Sequence, residues 1–191
     1  MMKHLRNNRL AIGGSIAVLV LGLQVVKAEA LSVDKAIPKA QSLVVSESAL
    51  RIKTLAKFHN ADRLTRTDLV SLLSAVGFVG KDLQEAWAIA MKESRGNPLD
   101  HNGNRKTGDN SYGLFQVNML GSMGQERRDK FSLEYNAQLL DPVVNAQIAY
   151  HMSNGGKDWS AWKGLKTEGA KYWMSQFPSK AKAKAIAKAK A

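Results

Sequence analysis

The sequence predicts a mainly α-helical domain with a small irregular β and loop lobe beside one strongly apolar helix. Three observations carry this reading. Apolar residues recur at helical spacing in several separate segments between residues 47 and 178. A polar stretch rich in Gly, Asn and Asp, residues 95–111, interrupts them without any apolar period. Few segments alternate as strands do, and no internal repeat is present.

Taken in order, "MMKHLRNNR" is a basic leader and residues 10–26 are an apolar run without charge. Ala28 and Ala30 then stand at small-x-small spacing. The expectation for residues 1–30 is a signal peptide cut after Ala30, or an N-terminal membrane anchor; the run is at the short end of what spans a bilayer. Either way the remainder is expected to be exported across a membrane, as a periplasmic, secreted or anchored protein. Residues 31–46 have mixed composition and one Pro and read as a linker.

Residues 47–60 place Leu50, Ile52, Leu55 and Phe58 near helical spacing. In "TRTDLVSLLSAVGFVG", Thr67 is expected to cap a helix, with Asp68 in the first turn where the helix dipole favours an anion. Leu69, Leu72, Leu73 and Val76 form its stripe and Gly77 stops it. "KDLQEAWAIAMKES" repeats Leu83, Trp87, Ala90 and Met91 along one face, and Gly96 and Pro98 end it near Ser94 or Arg95. Residues 112–118 read as a short strand or a helix start. A helix over 141–154 has Asp141 as N-cap, Pro142 at its first position, and Val144, Ile148 and Met152 toward the core. A loop carrying Trp159 and Trp162 leads to a last short helix in "TEGAKYWMSQF", and residues 179–191 form a Lys/Ala-rich basic tail.

Lys and Arg outnumber Asp and Glu by 28 to 16, a formal charge of +12. Such a chain is drawn to polyanions: nucleic acid, anionic lipid or acidic wall polymers. There is no Cys, hence no disulfide framework and no thiolate metal site. His59, His101 and His151 lack ligand spacing, and Asp100 and Asp109 lack the spacing of a calcium loop. No metal and no cofactor are expected.

Glu93 stands in the last turn of its helix, where unpaired carbonyls carry partial negative charge. Its neighbours one turn back, Ile89 and Ala90, are apolar. Both features disfavour the charged carboxylate. A carboxylic acid that holds its proton can pass it to a leaving oxygen, the chemistry that breaking a glycosidic bond needs. Taken alone, a Glu at a helix end is most often simply solvated.

The segments around it occur in a telling order: "ESRGNP", a polar loop, "YGLFQVN", "DPVVNAQIAY" and "SNGGKDWSAW". This series resembles the lysozyme-like superfamily, which includes soluble-type lytic transglycosylases, goose-type lysozymes and related phage lysins. The resemblance covers about residues 65–175. It implies a lysozyme-like α+β fold over 47–178, with peptidoglycan glycan strands as partner and substrate. By the same resemblance Glu93 is the catalytic acid and Ser94 orients it or binds substrate. Tyr112, Gly113, Gln116 and Asn118 belong to the segment that crosses the cleft. Trp159 and Trp162 either line the cleft or fill the core. Asp141, Pro142 and Asn145 read as structural.

Many relatives carry an Asp just before the Tyr-Gly pair; here that position is Ser111, and Asp109 is the candidate second carboxylate. With a single carboxyl the expected route is lytic transglycosylation of the β-1,4 bond between N-acetylmuramic acid and N-acetylglucosamine, giving a 1,6-anhydro product. The alternatives are a hydrolytic muramidase using Asp109, or a non-catalytic wall-binding part of a virion or secretion machine. The basic tail could hold anionic membrane or wall polymers. Nucleic acid is not an expected partner, since no aromatics are interleaved with the basic residues.

Overall fold

A computed structural model describes residues 39–179, all within one compact unit. The leader and apolar run at 1–30, and the Lys/Ala run at 180–191, lie outside the described residues. Six α-helices are described: α1 (Lys39–Phe58), α2 (Arg66–Val76), α3 (Gly80–Ser94), α4 (Gly121–Phe131), α5 (Pro142–Met152) and α6 (Glu168–Ser175). Between α3 and α4 lies an antiparallel sheet of β1 (His101–Asn102), β2 (Ser111–Tyr112) and β3 (Val117–Asn118). Asn102 pairs with Ser111, and Ser111 with Asn118. This is the predicted mainly helical α+β architecture with a small β lobe.

α3 is the central helix. Every residue from Ala86 to Met91 is buried, so the helix is covered on all sides and not on one stripe. It packs against α2 and α6, and α2 packs in turn against α1 and α5. Trp87, fully buried, donates its indole N–H to the Arg66 carbonyl at 3.2 Å and meets Trp173 and Phe177 edge-on. Burying each side chain of this size contributes roughly 1.5–3 kcal/mol.

Several expectations change in detail. α2 is capped by Thr65, not Thr67. The Thr65 hydroxyl accepts from the Asp68 N–H at 3.0 Å, and the Asp68 carboxylate accepts from the Thr65 N–H at 3.2 Å. This reciprocal pair satisfies two donors at once, which Thr67 could not do with a carboxylate one residue away. α1 begins at Lys39, so residues 39–46 of the stretch read as a linker are helical. On α1, Phe58 is buried and Leu55 half-buried, but Leu50 and Ile52 are 64% and 68% exposed. On α5 the buried face is Val143, Asn145, Ala146, Ile148 and Ala149; Val144 and Met152 sit at its edge. Asp141 caps α5 as expected, accepting from the Val143 and Val144 N–H groups, and Pro142 occupies its first position. α4 has no counterpart among the sequence expectations. Among the described residues, no helix is long and apolar enough to cross a membrane.

Candidate active site

The last turn of α3 opens onto a groove of about 400 Å³. That is within the roughly 300–1,000 Å³ of small-ligand sites. Four segments line it: Lys92 and Glu93 from α3; Asn102, Asp109 and Ser111 from the β1–β2 hairpin; Gln116 and Asn118 from the turn and β3; and Ala161, Trp162 and Lys163 from the loop before α6.

Glu93 reaches the groove because α3 ends abruptly. Arg95 takes the left-handed conformation at φ 56° and donates its N–H to the Met91 carbonyl at 3.1 Å. The Glu93 side chain is 23% exposed, and the Lys92 ammonium pairs with it at 2.8 Å. Lys92 also donates to the Trp162 carbonyl at 2.8 Å, so it ties α3 to the Trp loop.

The segment that brings Gln116 to the groove, residues 112–116, is held by polar atoms of the core. Asn145 of α5 is completely buried. Its Oδ1 accepts from the Phe115 N–H, and its Nδ2 donates to the Tyr112 and Leu139 carbonyls, each at 2.9 Å. Gly113 sits against this amide at φ 72°, and a Cβ there would meet the Leu139 carbonyl oxygen at 2.2 Å. Only glycine fits that approach. The structural reading of Asn145 therefore holds, and it fixes the backbone of the cleft.

Ser94 lies behind the groove, not in its wall. It is buried, its hydroxyl donates to the Leu114 carbonyl at 2.8 Å and accepts from the Gly96 N–H at 3.2 Å, and it does not line the groove. It joins the end of α3 to the segment above and so positions Glu93. Gly113 and Tyr112 are likewise absent from the lining. Tyr112 stacks on His101, ring centroids 4.3 Å apart, and Gly113 is enclosed by Asn145 and Leu139.

Gln116 does line the groove, in a left-handed conformation at φ 46°. Its Nε2 donates to the Gly113 and Asp100 carbonyls at 3.0 and 3.1 Å, and among the described residues its Oε1 has no protein donor. That oxygen can accept from a sugar hydroxyl or amide. Asn118 spends its amide on the hairpin: Nδ2 donates to the Gly108 carbonyl at 2.8 Å, and Oδ1 accepts from the Asn110 and Leu120 N–H groups. It braces the loop that carries Asp109. Asp109 does curl into the groove, and its carboxylate accepts from the Thr107 hydroxyl at 2.8 Å.

The two loop tryptophans part company. Trp162 lines the groove, although only 6% exposed, and donates to the Phe115 carbonyl at 2.6 Å. Trp159 fills the core between Phe78 and Phe115, with ring centroids 6.0 and 6.2 Å away. Tyr150 packs over Gly77 and edge-on to Phe78, away from the groove. The loop is stiffened by Asp158, whose carboxylate accepts from the Ser160 N–H at 2.9 Å; that bond holds its pKa below the ordinary value. Lys92, Asn102, Ser111, Ala161 and Lys163 complete the lining without being among the site residues the sequence suggests.

The site is thus a carboxylate at the end of a buried helix, facing a polar groove beside a short antiparallel lobe. In the comparison with protein families, residues 70–164 match the family described as "Lysozyme like domain". This domain belongs to the lysozyme-like superfamily, a peptidoglycan-active family of glycosidase type. No curated protein and no solved structure matches it.

Proposed function

We propose that this protein cleaves the β-1,4 bond between N-acetylmuramic acid and N-acetylglucosamine, with Glu93 as the general acid and base. The observation that carries this reading is Glu93 itself, at the end of the buried helix and lining the groove. The Glu93 carboxyl gives its proton to the bridging oxygen as the C1–O bond breaks. The resulting carboxylate then takes the proton of the C6 hydroxyl as that oxygen closes on C1. No water enters, and the product is a 1,6-anhydro sugar. Lys92 pairs the carboxylate formed after the first transfer. Gln116 Oε1 is placed to hold a sugar donor, and Ser94 and Asn145 fix the backbone from beneath.

A second reading has a specific observation behind it: Asp109 lines the same groove. A second carboxylate can serve hydrolysis as nucleophile or base. Against it, Asp109 rides on an exposed hairpin, whereas the position next to Tyr112 is the buried, uncharged Ser111. Mass spectrometry of the sugars released from purified peptidoglycan separates the routes. Anhydro ends support transglycosylation; reducing ends would replace it with hydrolysis. Export through residues 1–30 would bring the domain to this substrate, and the basic tail would add attraction to anionic wall polymers or membrane.

A further inference from the structure

Four titratable side chains line the groove: Lys92, Glu93, Asp109 and Lys163. Three are committed within the protein. Lys92 and Glu93 pair with each other, Lys92 also binds the Trp162 carbonyl, and Asp109 accepts from Thr107. Lys163 is exposed and, among the described residues, its ammonium makes no ion pair or hydrogen bond.

Its backbone is not free. Lys163 holds a left-handed conformation at φ 62°, which residues with a Cβ adopt rarely. Its N–H donates to the Ser160 carbonyl at 3.0 Å, and the Gly164 N–H donates to the Trp159 carbonyl at 2.8 Å. Trp162, just before it, is anchored by its indole to Phe115 and by its carbonyl to Lys92. An uncommitted cation is thus mounted on a strained, well-anchored turn at the rim, where a glycine would sit at less cost. Strain of this kind is a reason to look for function at the side chain.

We propose that Lys163 recognises a carboxylate on the glycan, so that the groove selects acid-bearing strands over neutral N-acetylated ones. This rests on the glycan-cleaving reading above and refines its substrate. An ammonium donates charge-assisted hydrogen bonds to a carboxylate and gains nothing comparable from a neutral sugar. In peptidoglycan the acid has two sources: the lactyl group of muramic acid where the strand is bare, and the stem peptide where it is substituted. An oligomer of N-acetylglucosamine has neither.

The test uses the full chain carrying Glu93→Gln, so that the probes stay whole, with Lys163→Met and Lys163→Arg added in the same background. Dissociation constants are measured for an N-acetylglucosamine oligomer, a bare glycan strand with its free lactyl acid, and a peptide-bearing strand. Lys163→Met is expected to weaken binding of an acid-bearing probe about three- to fivefold, the scale of an exposed ion pair. It leaves the neutral oligomer unchanged, Lys163→Arg restores the loss, and added salt shrinks it. A loss confined to the bare strand assigns the lactyl acid, and one confined to the substituted strand assigns the stem. Equal weakening on the neutral oligomer, or no change on either acid-bearing probe, overturns the proposal. If the Glu93→Gln chain binds none of the three, the glycan reading itself falls, and this one with it.

Discussion

The end of α3 and the β1–β2 hairpin share one groove but are built by different rules. The α3 end and the segment above it are fixed by buried polar atoms, with Asn145 bonded to three backbone groups and Ser94 to a fourth. The hairpin is exposed and held by short side chains bonding to nearby backbone: Asn102 to Asn104, Asn104 to Lys106, Asn118 to Gly108. Exposed bonds of that kind compete with water, whereas a buried group stripped of its partner bears the full cost of desolvation. The proposed acid, Glu93, stands on the first; Asp109 stands on the second. Substitutions in the two regions should therefore differ in size and in kind.

The largest effect is expected at Gly113. Gly113→Ala pushes a methyl into the Leu139 carbonyl and the Asn145 amide at a positive φ. It should cost more than about 4 kcal/mol, through overpacking and backbone strain together. Urea denaturation measures it; a loss under about 1 kcal/mol would show the cleft segment to be looser than described.

Asn145→Ala comes next. It strands the Phe115 N–H and the Tyr112 and Leu139 carbonyls, for an expected loss of about 3–5 kcal/mol. Activity should fall with it, because those atoms set the cleft backbone.

Asp109 is half-buried and bonded to Thr107, a bond an amide oxygen can also accept, so Asp109→Asn should leave stability within about 0.5 kcal/mol. Its effect on turnover then sharpens the contrast. Less than a tenfold loss fits an anhydro-forming route through Glu93 alone. A loss of about 10²–10⁴ would assign Asp109 proton-transfer or nucleophilic work.

A modest effect, on stability alone, lies far from the groove at the cap of α2. Thr65→Ala should cost about 1 kcal/mol at neutral pH. The Asp68 carboxyl is held below its ordinary value of 3.8, first by the Thr65 hydroxyl, which donates to it at 2.6 Å. A carboxyl lowered in the folded state adds stability that is present above its unfolded pKa and lost as pH falls through the folded one. The gap between wild type and Thr65→Ala should therefore narrow in acid, below about pH 4. A gap that stays constant through that acid range would mean the capping box is not formed in solution.

How much of this could be read from the chain alone follows from what each element depends on. α2, α3, α5 and α6 are driven by apolar periodicity, so their positions were legible. α4, "GSMGQERRDKF", has two glycines, almost no apolar period and no side-chain N-cap, and it gives no such signal. Thr65 and Thr67 both precede the stripe of α2; the Thr-x-x-Asp spacing could have chosen between them. At the site, Glu93, Gln116, Asp109 and Trp162 were found through the order of motifs. For Ser94 and Trp159 the sequence leaves two readings open, because a buried polar or aromatic residue and a groove-facing one look alike in sequence; the fold puts both behind the groove. Lys92 was overlooked although adjacent to Glu93, since only the fold shows that its ammonium turns back to the carboxylate and to Trp162. Lys163 lies in a turn whose left-handed backbone no local pattern announced.

One measurement bears most directly on Glu93 as the proton donor: release of soluble sugar fragments from purified peptidoglycan by wild type and by Glu93→Gln. The glutamine keeps the shape and loses the proton. A drop of about 10²–10⁴ in rate, with unchanged denaturation and retained binding to the glycan, is the expected result. Release at the wild-type rate by a folded Glu93→Gln protein would contradict the account.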